Sequence, residues 1–168
     1  MRTQGPVTRL FLLQGDIYCE AQPALVSTIL GSCVSLCLWD SHLRQGGINH
    51  YVLPDGQVEA EAGNARYGIT AIGLLVRRMR ELGSRNHHLE AKIFGGASVF
   101  PLGAAQVTVG ERNVELAVSR MRAHRIPVTV QRTGGSLGRQ ITFHTGTGEA
   151  TVRELVHVSA DSLPGAAG

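Results

Sequence analysis

Lysine, cysteine and aromatic residues are scarce in this 168-residue sequence, and long apolar runs are missing. Three cysteines are too few, and odd in number, for a disulfide framework. No apolar run reaches the about 18 residues of a transmembrane helix, so we expect no direct membrane insertion. The N-terminal residues lack the pattern of a secretory signal peptide, and we therefore expect a cytoplasmic protein.

The charge of the chain is low and spread along its length. Sixteen basic and 13 acidic residues give a net charge of +3, and Lys92 is the single lysine. No basic run alternates with aromatic residues, so we expect no nucleic-acid partner. The modest charge and apolar content suit a monomer. With 43% hydrophobic residues and 21 glycines, the chain is neither disordered nor a coiled coil.

The length predicts one domain, which we place at residues 1–158, followed by a flexible tail of small residues at 159–168. Apolar residues at helical spacing predict helices over 67–82 and 113–124. Shorter apolar runs bounded by glycine, proline or polar turns predict strands. These lie at 10–13, 17–20, from 25 to a turn at Gly31, and then at 34–38, 47–53, 89–94, 128–132, 140–144 and 151–158. The sum is a mixed α/β chain.

Small residues cluster where predicted strands end. They are Gly31, Ser32, Gly95, Gly96, Gly134 and Gly135. Glycine permits tight turns and close approach of the backbone to another group. The pattern therefore leaves two interpretations open, simple turns or a rim of backbone amides around a substrate site.

Cys33 is a candidate nucleophile because it follows the turn at Gly31-Ser32 and precedes an apolar strand. Backbone N–H groups at such a turn can lower the pKa of a thiol and can hold an oxyanion. A nucleophilic cysteine needs a base. His50 lies on the returning strand of the predicted hairpin, where antiparallel pairing can bring it beside Cys33. The alternative is that Cys33 fills the core and His50 is structural.

A third residue would have to orient the histidine, and two hydroxyl residues precede Cys33. In a straight strand Ser27 shares a face with Cys33, and Thr28 points into the opposite layer, because side chains alternate. A bulge at Gly31 would reverse this parity. Both residues therefore stay candidates.

No metal or cofactor is expected. Adjacent His87 and His88 would point to opposite faces of a strand, and no cysteine or carboxylate pair with ligand spacing lies near them. The sequence also has neither a glycine-rich nucleotide loop nor the paired carboxylates of a glycosidase.

Several blocks of the sequence resemble the CheD family of chemoreceptor glutamine deamidases. The two longest are STILGSCVSLCL at 27–38 and GGINHYVLP at 46–54. The shorter ones are KIFGGA at 92–97, GERN at 110–113, TGG at 133–135 and GR at 138–139, together with a tyrosine at 67. They occur in the order found in the family, between about residues 10 and 158.

The resemblance implies a layered α/β/β sandwich, a single α/β domain with two packed β-sheets and helices on one side. It implies hydrolysis of glutamine side-chain amides in methyl-accepting chemotaxis receptors to glutamate and ammonia, with methyl-ester hydrolysis as a further activity. The family's catalytic cysteine and histidine match Cys33 and His50. Its third member, a hydroxyl residue upstream of the cysteine, falls by spacing on Ser27, with Thr28 adjacent. A CheC-type phosphatase, which binds family members in some bacteria, is the second partner that the resemblance suggests.

Two other functions stay open. The chain could be a catalytically idle module that binds receptors or the phosphatase, with Cys33 as structural filler. It could also be another cysteine enzyme, such as a protease or a transglutaminase, which would cleave peptides or incorporate amines. Intact receptor processing after a Cys33→Ala substitution would favour the idle module.

Overall fold

A computed structural model describes residues 6–55, 63–98 and 106–156, and these form three layers. Helices α1 (Gly68–Glu81) and α2 (Val109–Ala123) cover one face of a five-stranded sheet, and a four-stranded sheet packs against the other face. The prediction of a layered α/β/β sandwich is confirmed. No helix within the described ranges is both long and apolar enough to cross a membrane.

The first four strands alternate between the two sheets, the next three stay in the five-stranded sheet, and the last two lie in the four-stranded sheet. The strands are β1 (Thr8–Phe11), β2 (Ile17–Glu20), β3 (Ala24–Leu30), β4 (Val34–Asp40), β5 (Gln45–Asn49), β6 (Leu89–Gly95), β7 (Val128–Thr133), β8 (Arg139–His144) and β9 (Ala150–Glu154). The five-stranded sheet has the order β2-β5-β4-β6-β7, with only β6 and β7 parallel. The four-stranded sheet has the order β1-β3-β8-β9, with only β1 and β3 parallel.

The central strand β4 is buried on both faces, which explains its almost continuous apolar sequence. Its side chains at Val34, Leu36 and Leu38 pack under the helices. Those at alternate positions, such as Cys37, enter the layer between the two sheets. The chain passes from β3 in one sheet to β4 in the other through residues 31–33. This crossing places Cys33 at the margin of the inter-sheet layer.

Helix α2 begins at Val109, so the predicted start at Asn113 is wrong. A capping box explains the earlier start. The hydroxyl of Thr108 accepts from the N–H of Glu111 (3.1 Å), and the Glu111 carboxylate accepts from the N–H of Thr108 (3.2 Å). As a result Asn113 lies inside the helix and on its buried face.

The returning strand is shorter than predicted. β5 ends at Asn49, and only an isolated bridge between Val34 and Tyr51 continues the pairing. β9 ends at Glu154, and the last residues of the strand predicted over 151–158 lie outside the described ranges. The predicted tail at 159–168, and with it the domain boundary, also lies outside them.

Candidate active site

The loop that carries Cys33 is held at each of its three carbonyl oxygens. The oxygen of Gly31 accepts from the N–H of Ala97 (2.9 Å), that of Ser32 from Nδ2 of Asn113 (3.0 Å), and that of Cys33 from the N–H of Gly96 (2.9 Å). Two of these donors belong to the chain that leaves β6, and the third belongs to α2. The nucleophile candidate is therefore fixed by two segments that are remote from it in sequence, the chain after β6 and helix α2.

Gly95 is required by this arrangement. Its φ is +105°, and an added Cβ atom would overlap the carbonyl oxygen of Cys33. Any other residue would push the Cys33 loop away from β6. Gly95 and Gly96 thus pack against the Cys33 loop and hold it in place. Contact of either glycine with the substrate stays a prediction.

Gly134 and Gly135 form hydrogen bonds with the chain at Gly95 and just after Gly96. The N–H of Gly134 donates to the carbonyl of Gly95 (3.0 Å), and the N–H of Ser98 donates to the carbonyl of Gly135 (2.9 Å). The buried guanidinium of Arg139 also donates to the carbonyl of Gly95 (3.3 Å) and to that of Gly134. Burial lowers the pKa of Arg139 from its ordinary value.

Backbone pairing brings His50 to the same face as Cys33. The N–H of Val34 donates to the carbonyl of Tyr51 (3.1 Å), and the N–H of Tyr51 donates to that of Val34 (3.0 Å). In this antiparallel register Cys33 and His50 fall on one face as diagonal neighbours, positions that lie about 7–8 Å apart. His50 is 4% exposed and Cys33 is 8% exposed.

Thr28 fixes the orientation and the tautomer of His50. Its Oγ1 atom lies 2.7 Å from Nδ1 of His50, and the same hydroxyl donates its proton to the carbonyl of Leu12 (2.9 Å). Since the hydroxyl has one proton to give, it accepts from Nδ1–H of the imidazole. Nε2 is then left as the basic nitrogen. That atom is buried and has no hydrogen-bond partner among the described residues.

Ser27 lies on the opposite face of β3. Its hydroxyl is 2.9 Å from that of Thr142, on the outer side of the four-stranded sheet. The expectation that Ser27 shares a face with Cys33 assumes one straight strand. It is wrong, because the turn at 31–33 carries the chain into the other sheet. Val26, Thr28 and Leu30 point inward instead.

Burial keeps both reactive groups neutral at rest. Desolvation raises the pKa of the Cys33 thiol, and its own backbone N–H opposes this by a smaller amount. Desolvation lowers the pKa of His50 to about 4, against a smaller opposing effect of the Asp16 carboxylate. At neutral pH the site therefore holds a thiol and a neutral imidazole rather than an ion pair.

A short turn at residues 13–16 holds the backbone of His50, and the sequence did not indicate this contact. The N–H of His50 donates to the carbonyl of Asp16 (3.2 Å), and the N–H of Gly15 donates to the carbonyl of His50 (2.8 Å). The Asp16 carboxylate accepts from the N–H of Leu13 (2.8 Å) and closes the turn. Gly15-Asp16 is a recognisable turn signal, but its partner lies more than thirty residues away.

The structure shows no metal centre at the histidines within its described ranges. His87 and His88 lie in a 3-10 turn (Asn86–His88) rather than in a strand, and His88 stacks on His42 with ring centroids 4.8 Å apart. No group of three His, Cys, Asp or Glu side chains suited to a metal ion occurs within 6–55, 63–98 and 106–156.

Comparison with known proteins gives a consistent set of relatives. The family model described as CheD chemotactic sensory transduction matches residues 52–154, more than half of the chain. A protein of Rhodospirillum rubrum named "Probable chemoreceptor glutamine deamidase CheD" is 47% identical over 145 residues, which are 86% of this chain and 81% of that protein. A protein of the same name from Trichlorobacter lovleyi is 39% identical over 144 residues, 86% of this chain and 89% of that protein.

The relatives also extend over the N-terminal part of the site. The family-model match begins after His50, whereas a relative from Anaeromyxobacter dehalogenans, named "Probable chemoreceptor glutamine deamidase CheD 1", is 41% identical over 151 residues. These residues are 90% of this chain and 87% of that protein. On the family-model match and on these identities over most of the length of each protein, the chain belongs to the CheD family.

Proposed function

We propose that the chain is a protein-glutamine deamidase that hydrolyses glutamine side-chain amides of methyl-accepting chemotaxis receptors to glutamate and ammonia. Cys33 is the nucleophile, His50 is the general base and acid, and Thr28 orients His50. The observation that carries this assignment is the Leu12–Thr28–His50 hydrogen-bond chain beside Cys33, since it leaves Nε2 free to take a thiol proton. The names of the relatives, chemoreceptor glutamine deamidases, support the choice of substrate.

The first half of the reaction forms a thioester. Nε2 of His50 takes the thiol proton as Cys33 Sγ attacks the amide carbon, and negative charge develops on the amide oxygen. Backbone N–H groups of the 31–33 loop stabilise that oxygen. The imidazolium then gives its proton to the departing nitrogen, the C–N bond breaks and ammonia leaves.

The second half regenerates the enzyme. Water attacks the thioester carbon while Nε2 takes one of its protons, and the C–S bond then breaks with return of that proton to sulfur. The net change is addition of water to the amide and release of ammonia. A methyl ester presents the same carbonyl, so we expect the site to hydrolyse methylated glutamate as well, with methanol as the leaving group.

The chemistry has an electrostatic consequence for the substrate. Each conversion of glutamine to glutamate adds one negative charge to a receptor helix, and like charges in a helical bundle repel one another. We place the reaction in the cytoplasm, with the enzyme acting as a monomer. A CheC-type phosphatase is the further partner we propose to test.

The decisive experiment incubates the purified chain with a chemoreceptor cytoplasmic domain and follows ammonia release and peptide mass. We expect selected glutamines to become glutamates in the wild type and in Cys19→Ala. Cys33→Ala should convert none. Cys19 is the matched control because its thiol contacts Met79, away from the site.

Three outcomes would contradict the proposal. Equal receptor processing by wild type and Cys33→Ala would exclude Cys33 as nucleophile. Stable receptor binding without ammonia release would identify an idle binding module. Peptide cleavage or amine incorporation without deamidation would indicate one of the other cysteine enzymes. Co-purification of a phosphatase from cell lysate tests the second partner separately.

A further inference from the structure

Asn113 is a fully buried polar residue on α2 that reaches the site from the helix side. Its Nδ2 atom donates to the carbonyls of Ser32 (3.0 Å) and Val52 (2.8 Å). The backbone carbonyl of Asn113 accepts the hydroxyl proton of Tyr51 (2.5 Å). One residue therefore joins the chain before Cys33 to the chain after His50.

The side-chain amide of Asn113 replaces a backbone hydrogen bond at the point where the strand pairing ends. The register that pairs Val34 with Tyr51 would next join Ser32 to Leu53 by backbone hydrogen bonds. The N–H of Leu53 donates instead to the carbonyl of Arg66 (3.2 Å), so the ladder opens. Asn113 supplies the donor that the Ser32 carbonyl would otherwise lack.

The hydrogen bond from Asn113 to the Ser32 carbonyl also sets the direction of the Cys33 N–H, because both groups belong to one planar peptide. In a trans peptide the C=O of one residue and the N–H of the next point in opposite directions. With the Ser32 carbonyl held toward α2, the N–H of Cys33 points away from the helices. It lies near its own sulfur, where it lowers the pKa of the thiol. An amide in that place can donate to an oxyanion bonded to the carbon that Sγ attacks.

We propose that Asn113 is the positioning residue of the oxyanion site, holding the Ser32–Cys33 peptide so that the Cys33 N–H faces the oxygen of the scissile amide. This inference rests on the proposed deamidase reaction. It separates two functions within the site, since Thr28 orients the base and Asn113 orients the donor to the oxyanion. A purely structural role for Asn113 would only anchor α2 to the sheet.

The test replaces Asn113 with leucine, which has the same branching but is larger and has no amide, and with alanine as a second, smaller variant. Asn86→Leu is the matched control. The Nδ2 atom of Asn86 donates to the carbonyl of His124 (3.1 Å) at the far end of α2, so it too holds a carbonyl. Each variant is assayed for kcat, KM and Tm with the receptor domain. The pH profile of Cys33 alkylation by iodoacetamide is read at that residue by peptide mapping.

We expect both Asn113 variants to lose about 10²-fold in kcat, with little change in KM, because an oxyanion donor acts in the transition state. Their alkylation profile should move to higher pH, since the N–H no longer faces the sulfur. Asn86→Leu should match the wild type in kcat and in the profile, whatever its Tm.

An alkylation profile that is unchanged in both Asn113 variants would overturn the inference. A loss of kcat no larger than the fraction of unfolded protein in each variant would overturn it as well. The alkylation measurement needs no receptor. If the wild type releases no ammonia, the deamidase assignment fails. The alkylation profile still decides whether Asn113 determines the orientation of the Ser32–Cys33 peptide.

Discussion

The Oγ1 atom of Thr28 and the Nδ1 atom of His50 lie 2.7 Å apart in a layer that buries both residues. The threonine is on the four-stranded sheet and the histidine follows a strand of the five-stranded sheet. The candidate base is thus oriented across the interface between the sheets. Its geometry depends on how the two sheets are docked.

Thr28→Val should lower kcat by about 10²-fold, because the buried Nδ1–H of His50 loses its acceptor and the imidazole loses its fixed tautomer. KM should stay close to that of the wild type. Ser27→Ala is the matched control and should leave kcat unchanged, since its hydroxyl meets Thr142 on the outer face. Steady-state kinetics on the receptor domain measures both variants. A larger loss in Ser27→Ala than in Thr28→Val would contradict the assignment.

The activity should depend little on pH between about 5 and 8. His50 has a pKa of about 4, so Nε2 remains basic through this window, and the raised pKa of Cys33 keeps the thiol protonated. The rate should fall only as the pH approaches 4 and His50 becomes protonated. The pH profile of kcat/KM, with Cys33 alkylation measured alongside, checks this. Rapid alkylation at pH 6 would instead reveal a thiolate–imidazolium pair.

Acid should destabilise the fold partly through His50. Its folded-state pKa of about 4 lies below the ordinary 6.5, so the unfolded chain binds the proton more readily. The contribution to stability is complete above pH 6.5 and is lost, by about 3 kcal/mol, as the pH falls through about 4. Denaturant unfolding of wild type and His50→Gln at several pH values measures it. His87→Gln, at an exposed site, should keep the wild-type slope.

Gly95→Ala should cost more than about 2 kcal/mol of stability, since alanine is strained at a φ of +105° and its methyl group would displace the Cys33 carbonyl. Activity should fall with it. Gly73→Ala is the opposite control, because an added Cβ in α1 meets no atom within 4 Å. That variant should gain about 0.5–1 kcal/mol. Thermal unfolding of both variants gives the comparison, and equal Tm values would refute the close-packing argument.

Local patterns in the sequence predicted most elements of the fold. The run of β-branched and aliphatic residues on either side of Gly31-Ser32 was enough to predict β3, the turn and β4. The start of α2 was missed although Thr108 and Glu111 carry its capping signature. The division into two sheets came from the family resemblance, because strand pairing between distant segments leaves no local signal.

The site was predicted only in part. Cys33 and His50 could be singled out because a hairpin joins them. The choice between Ser27 and Thr28 required the path of the chain between the sheets, which alternation along a single strand cannot supply. Asn113 contacts Ser32 across 81 positions, so only the three-dimensional packing reveals it.

The three cysteines differ in exposure, so their rates of labelling by a thiol reagent can report how far the folded layers have opened. Cys19 is half-buried, Cys33 nearly covered, and Cys37 enclosed at the centre of the sandwich. Burial raises the pKa of Cys19 to about 11 and that of Cys37 still further. A thiol reagent can therefore reach Cys37 only in molecules whose layers have separated. Its slow labelling reports the population of globally opened molecules, while labelling of Cys33 reports the working site.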